Sequence, residues 1–523
     1  MLFNSYEFIF VFLPVVVTAF LLLGKASREW ALRWVIAASL FFYGWWRPLN
    51  VLIIAPSVLI NFMLARLMQR LRKQENRKAA LTLLVFGIAF NVAFLGYFKY
   101  SNFFVNSIND AFGTKLFLAK VILPLGISFI TFQKIAFLVD VQAGRIESFT
   151  LQDYCLFVLF FPQLIAGPIV HYREMMPQFQ RASCCFDKDN FAVGVTLFAF
   201  GLFEKVFLAD SIASFVTPLY EKAASGGSMA LIPAWVAAVG FTFQIYFDFA
   251  GYTDMALGAA RLFGIKLPPN FNSPLRATSI IDFWQRWHMT LTRFLTAYIY
   301  NPLTLWLTRR RISSGRPGFG GRNKSVEAFI ELLVFPTLLT MFVAGFWHGA
   351  GYTFIVWGVL HGIFLTVNHT WRQWGPRLWR DKSSYERFMQ PTGFVITFVC
   401  VAASMVIFRA VNLKTATHLL YGMIGLHGIG VSGLRASFAL GLKTVALWSA
   451  ASAFIALLCP NTLQILDRYE PALGWKPSLY EVARPQGRVQ WGPSVAWALA
   501  MSLIVTIGIL NLGGRSEFLY WQF

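Results

Sequence analysis

Charge is scarce in this chain. Of 523 residues, 13% are Asp, Glu, Lys or Arg, against about 25% in an ordinary soluble domain, so a water-solvated globular surface over the whole length is excluded. Cysteine is scarcer still. Cys155, Cys184, Cys185, Cys400 and Cys459 are the five present; they form no Cys-x-x-Cys pair and keep no regular spacing, which argues against a disulfide framework and against a metal site. The alternating polar and apolar tens of a membrane barrel are missing, which leaves the helix as the spanning form and an all-α class. Two catalytic signatures are missing as well: there is no Gly-x-Ser-x-Gly elbow for a serine nucleophile and no Gly-x-x-x-x-Gly-Lys loop for phosphate chemistry. No internal repeat, low-complexity stretch or separable soluble domain is seen, so residues 1–523 read as a single membrane domain.

What is present is apolar length. The chain is 57% hydrophobic and 17% aromatic, with a mean hydropathy of +0.57. Runs able to cross about 30 Å of hydrocarbon recur from 7–24 to 494–512. They predict a polytopic bundle of about a dozen spans with shorter re-entrant helices. The first run has no basic leader and no small-residue cleavage site before Lys25, so it is expected to be a retained span. A formal charge of +21 would suit nucleic acid in a soluble protein, but here the basic residues gather in short connections, which favours the membrane reading and excludes nucleic acid. Arg66, Arg70, Arg72, Lys73, Arg77 and Lys78 form one block; Arg309, Arg310, Arg311, Arg316, Arg322 and Lys324 form another. Both are expected to face the cytoplasm, with the N-terminus outside.

Residues 1 to about 110 read as scaffold. The next segment, LPLGISFITFQKIAFLVDV from 123, carries Gln133 and Lys134 inside an apolar run and suits a cavity wall. FFPQLIAGPIVHYR from 160 is interrupted by Pro162 and Gly167-Pro168, against a straight helix. In FTFQIYFDFAGYTDMA, Asp248 and Asp254 are expected to pair with Arg261 or Arg276, or to take part in binding, because a mid-membrane carboxylate needs a partner or water.

Two histidines stand out. In DFWQRWHMTLTRFL, helical periodicity puts Trp284, Trp287, His288, Leu291, Leu295 and Tyr298 on one stripe, and Asp282, Gln285, Arg286, Met289 and Arg293 mostly on the other. His288 is therefore expected to point into a core. His348 lies where two apolar runs meet at His-Gly-Ala-Gly, a sequence that permits a backbone break or close helix approach. An ionisable ring at an intramembrane break is a functional candidate. With serine and phosphate-loop chemistry set aside, an imidazole acting as general base suits acyl transfer from a thioester to an alcohol. The arginines at 309–311 read as a topology signal or, alternatively, as a contact for the phosphates of an anionic donor. A proton-coupled transporter is the rival from another class, although it would favour two related halves, which are not found.

DFWQRWHMTLT and FWHGAGYTFIVWGVLHG, with LPLGISFITFQ, LIAGPIVHYR and YFDFAGYTDMA upstream, closely resemble the bacterial, alginate O-acetylase-like branch of the membrane-bound O-acyltransferase (MBOAT) family. The likeness runs in order from residue 1 to about 412, with core motifs from about 120, and returns in the C-terminal span and tail at 494–523. It implies a bundle with funnels from both faces meeting near His348 as catalytic histidine, and His288 as the second signature position. His361, which closes the motif, is taken as packing. It further implies acetyl-coenzyme A as a donor substrate with no permanently bound cofactor, and an exported polysaccharide as acceptor. A periplasmic acetyltransferase is the implied partner, and the setting is the bacterial inner membrane with its lipids. A lipid or protein acyltransferase using long-chain donors is the alternative within the superfamily. The chain departs from the branch at 295–302, with GGRNK displaced to 320. This leaves the acceptor open among alginate, cellulose, peptidoglycan and other exopolysaccharides. The ending FLYWQF resembles the FLY-x-x-F of this branch, which makes Tyr520 a candidate acyl carrier; composition alone reads the same tail as an interfacial aromatic anchor.

Overall fold

The computed structural model describes residues 1–319, 325–379, 381–430, 441–475, 489–514 and 519. Among them every regular element is helical. Seven helices are long and apolar enough to cross a membrane: Glu7–Ala26, Leu49–Lys73, Arg77–Phe112, Lys188–Ala224, Leu231–Arg261, Val326–His348 and Lys382–Arg409. Two shorter apolar helices, Lys443–Leu458 and Val495–Leu510, accompany them. The chain is an all-α, multi-pass membrane protein.

Helix Leu231–Arg261 is the centre of the bundle, buried over most of its length. Its sequence explains how another helix comes so close. Gly251 and Gly258, seven residues apart, face Gly201 and Gly194 of helix Lys188–Phe203 in antiparallel order. A Cβ on Gly251 would stand 2.6 Å from the Gly201 carbonyl oxygen, and one on Gly258 would stand 2.5 Å from that of Gly194. Only hydrogen fits between backbones at that range, and close packing of this kind is what holds helices together where lipid offers no hydrophobic drive. Just beyond the crossing the chain relaxes into a π-helical turn at Glu204–Ala209, which carries Lys205 into the interior. Lys205 Nζ pairs with Asp248 and with Asp210, each at 2.7 Å.

That pairing corrects the expected partners of the two aspartates. Arg261 donates to the backbone carbonyls of Tyr469 and Glu470, and Arg276 to those of Ala456 and Cys459. Asp248 is held by Lys205, and the Asp254 carboxyl has a hydrogen bond with Thr462. The two arginines lie at helix and loop ends, where unfilled carbonyls claim them.

The stretch 127–181 does not cross as a straight rod. Helix Ile127–Gln142 has 16 residues, about 24 Å at ~1.5 Å per residue, short of the hydrocarbon thickness. Leu151–Leu159 stops at Phe160, a single short turn Phe161–Leu164 follows, and the chain is irregular until Tyr172. Pro162 and the Gly167-Pro168 pair fall within this break. Irregular backbone at this depth is tolerated because protein surrounds it; residues 161–170 are all buried.

The largest departure from the sequence pattern is at 282–298. One helix was expected; there are two, Ile280–Arg286 and Met289–Leu295, followed by a π-turn at Thr296–Tyr300. The break falls on His288, which takes left-handed φ 44° and ψ 51°. No glycine or proline marks it. Asn270, a buried residue eighteen positions upstream, meets the break with both its backbone and its side chain. The Asn270 backbone oxygen accepts from the Met289 amide at 2.9 Å. Its side-chain oxygen accepts from the Thr290 hydroxyl at 2.9 Å and the Thr290 amide at 3.3 Å. These groups fill the first N–H positions of the second helix, which an uncapped helix start would leave unpaired.

Candidate active site

His348 is the last residue of helix Phe335–His348, and the next helix starts at Tyr352. The expected break at His-Gly-Ala-Gly is present, with Gly349 fully extended. The two helices pack tightly across it. A Cβ on Gly345 would strike the Phe354 carbonyl, and one on Gly358 the Met341 carbonyl. The turn therefore holds the His348 ring between Trp347, Trp357 and Phe408, at centroid separations of 4.9, 5.2 and 5.3 Å.

The break at His288 turns its ring toward the same cluster. His288 and His348 lie 6.4 Å apart, centroid to centroid, and Phe249 meets His288 edge-on at 4.8 Å. The hydrogen-bond chain around His288 fixes its tautomer. The Ile169 amide donates to the Thr290 hydroxyl, which donates to Asn270 Oδ1. His288 Nδ1 lies 3.0 Å from the same oxygen. Because the Thr290 amide also points there, that atom is the amide oxygen and can only accept, so Nδ1 carries the hydrogen. In the neutral ring, Nε2 is then the basic nitrogen.

His361 is committed differently. Its Nδ1 accepts from the Trp284 indole at 3.2 Å, and its Nε2 donates to the Ser404 hydroxyl at 2.9 Å, which passes its own hydrogen to the Val401 carbonyl. Both ring nitrogens are used in tying three helices together. This is a packing histidine.

Beside the His288 network opens a cleft of about 790 Å³. Asp282, Gln285, Arg286, Met289 and Arg293, the residues placed opposite the aromatic stripe by periodicity, all line it, and Thr290 joins it to Asn270. Arg286 pairs with Asp282 at 2.6 Å and Arg293 grips Glu174 at 2.8 Å. Two guanidinium groups beside an opening of this size make it a candidate site for an anionic substrate.

The comparisons with known proteins decide the family. The chain is 38% identical to a peptidoglycan O-acetyltransferase of Helicobacter pylori, over 83% of this chain and 82% of that protein. It is 33% identical to a probable alginate O-acetylase of Pseudomonas aeruginosa over the full length of both. A teichoic acid D-alanyltransferase of Streptococcus thermophilus is 29% identical over 54% of this chain and 68% of that protein. The family model described as MBOAT, membrane-bound O-acyltransferase family, matches residues 84–315. The chain belongs to the MBOAT family. It is an O-acyltransferase, and the transporter reading is set aside.

Within this MBOAT chain, the structure gathers some of the expected site residues and separates others. His348 and His288 share one cluster. Arg309, Arg310 and Arg311 are absent from the residues lining the cleft. Arg311 is buried and bonded to Glu331 at 2.6 Å, Glu327 at 3.3 Å and the Pro317 carbonyl at 2.8 Å, while Arg310 covers the Trp306 ring. Tyr520 and the GGRNK stretch at 320–324 lie outside the described residues. Leu519, next to Tyr520, is described. It is fully buried, with its amide 3.4 Å from Asp248 Oδ2.

Sequence reasoning missed a contribution from the part read as scaffold. Lys99 and Tyr100, on helix Arg77–Phe112, reach the end of the His348 helix. Lys99 Nζ donates to the Trp347 and His348 carbonyls, and the Tyr100 hydroxyl donates to that of Phe346 at 2.6 Å. The available signal was a lysine deep in an apolar run, which asks for a partner; its partner stands some 250 residues away.

Proposed function

We propose that this O-acyltransferase moves an acetyl group from cytoplasmic acetyl-coenzyme A toward an exported polysaccharide at the inner membrane, with His348 as the general base. The observation that carries this reading is the meeting of His348 and His288 at two backbone breaks, in one aromatic cluster beside an arginine-lined cleft. In the reaction His348 takes the proton of an acceptor hydroxyl while its oxygen attacks the thioester carbonyl. The carbon–sulfur bond breaks, and the proton leaves with the coenzyme thiolate. Water exclusion by Trp347, Trp357 and Phe408 protects the thioester from hydrolysis. His288 orients the reacting groups through its Nε2, and Arg286 and Arg293 meet the phosphates of the donor. The names of two relatives matched over most of their length, a peptidoglycan O-acetyltransferase and a probable alginate O-acetylase, support a polysaccharide acceptor.

The first acceptor in this reading is Tyr520, and a periplasmic transferase then passes the acetyl to the polymer. The burial of Leu519 against Asp248 supports it, because the next residue along that helix, Phe249, touches His288. A tail serving only as an interfacial anchor would face lipid headgroups. The test is purified protein with labelled acetyl-coenzyme A. Label should pass to the wild-type chain and not to Tyr520→Phe. Absence of turnover with acetyl-coenzyme A, alongside turnover with a long-chain acyl donor, would contradict the donor assignment.

A further inference from the structure

A helix that ends in an extended residue exposes its last carbonyls, since none of the usual left-handed caps is there to fold back on them. Helix Phe335–His348 ends this way: Gly349 follows with φ −164° and ψ 157°. The carbonyls of Phe346, Trp347 and His348 are met instead by two neighbouring side chains of helix Arg77–Phe112. Tyr100 takes the first through its hydroxyl and stacks its ring on Phe346, centroids 4.3 Å apart and planes within 5°. Lys99 takes the second and third through a single nitrogen, which also lies 5.7 Å from the Trp347 ring. One turn further along, Phe103 packs edge-on against Tyr352, the first residue of the following helix. The same helix face thus grips both sides of the four-residue junction that carries His348.

A glycine cap would close a helix end more cheaply than a lysine within an apolar helix, which has a charge to satisfy. What Lys99 and Tyr100 supply is a fixed location. Three successive carbonyls bonded to one rigid helix set the Cα of His348 and the plane of Trp347, and with them the direction of the imidazole toward His288. We propose that Lys99 and Tyr100 are positioning residues for acyl transfer, holding the end of the His348 helix so that its ring meets the reacting hydroxyl in register. The proposal rests on the reading of His348 as the general base.

Four variants of the full-length protein, purified in detergent, test it: Lys99→Met, Lys99→Arg, Tyr100→Phe and His348→Ala. A misplacement of about 1 Å costs on the order of 100-fold in rate, so Lys99→Met should lower kcat by about that factor. Donor KM should stay within about twofold, because the cleft is untouched. Lys99→Arg, which retains donors, should recover much of the loss, and Tyr100→Phe, which removes one bond and keeps the ring, should cost about tenfold in kcat. A folded Lys99→Met with wild-type kcat overturns the proposal. So does a loss carried by KM, or one that arginine does not relieve. Should Lys99→Met fail to fold, Tyr100→Phe decides alone, and a wild-type kcat there overturns it. If His348→Ala is inactive while Lys99→Met is fully active, positioning fails and the base assignment stands. An active His348→Ala removes the base assignment itself.

Discussion

Asn270 is the residue on which the His288 half of the site depends. Its side-chain oxygen collects His288 Nδ1, the Thr290 amide and the Thr290 hydroxyl, all buried. Asn270→Ala would leave these donors without their acceptor, and each unsatisfied buried group costs about 1–3 kcal/mol. The expected outcome is a loss of about 2 kcal/mol or more in thermal or denaturant unfolding, while Asn270→Asp, which keeps an acceptor, should lose less. Equal stability of Asn270→Ala and wild type would show that the break at His288 is held by other contacts. This is also where the sequence was least legible. The break at His348 could be read from its glycines, whereas the one at His288 is met by a residue from a preceding loop and leaves no local mark. Lys99 is similar: its oddity in an apolar run is visible, but the carbonyls that it serves belong to a distant helix end.

At the level of helices, about a dozen spans were expected from the apolar runs, and among the described residues seven helices are long and apolar enough to cross, with two shorter ones. A helix satisfies its own backbone in hydrocarbon, but an apolar run does not set helix length, as the 16 residues of Ile127–Gln142 show. Proline and glycine announced the interruption at 160–168. Pairing between helices was hidden. The seven-residue spacing of Gly194 with Gly201 and of Gly251 with Gly258 can be seen in the sequence, yet which pair meets which depends on packing. A prediction follows from that crossing. Gly258→Ala sets a methyl group 2.5 Å from the Gly194 carbonyl oxygen, whereas at Gly96, also helical, nothing lies within 4 Å of the added carbon. Gly258→Ala should destabilise by about 1–3 kcal/mol through overpacking, and Gly96→Ala should be neutral or stabilising by up to about 1 kcal/mol through helix propensity. Unfolding midpoints of the two variants in one detergent check this; the same shift in both would mean that the helices are not closely packed at this crossing.

Over the whole molecule, the excess of positive charge divides into two uses. Some arginines are tied into the fold away from the cleft, as Arg311 is by Glu327 and Glu331; others, Arg286 and Arg293, are also paired with carboxylates, Asp282 and Glu174, but line the cleft beside His288. The sequence could not separate these uses, because a run of three arginines looks more like an anion site than two arginines seven residues apart. Arg293→Ala is expected to raise the apparent KM for the acyl donor by about tenfold, as a lost charge-assisted contact to phosphate does. Arg309→Ala and Arg310→Ala should leave that KM unchanged in protein of normal abundance. A raised KM in the latter pair with none in the former would move the donor away from the cleft. The central claim, that the imidazole at the junction of the two helices removes the acceptor proton, is tested most directly by acetyl transfer in His348→Ala protein shown to be folded by its unfolding transition. The account predicts a fall of at least about 100-fold in kcat/KM, the usual scale for loss of a general base, with insertion unchanged; transfer at the wild-type rate by that folded variant would contradict it.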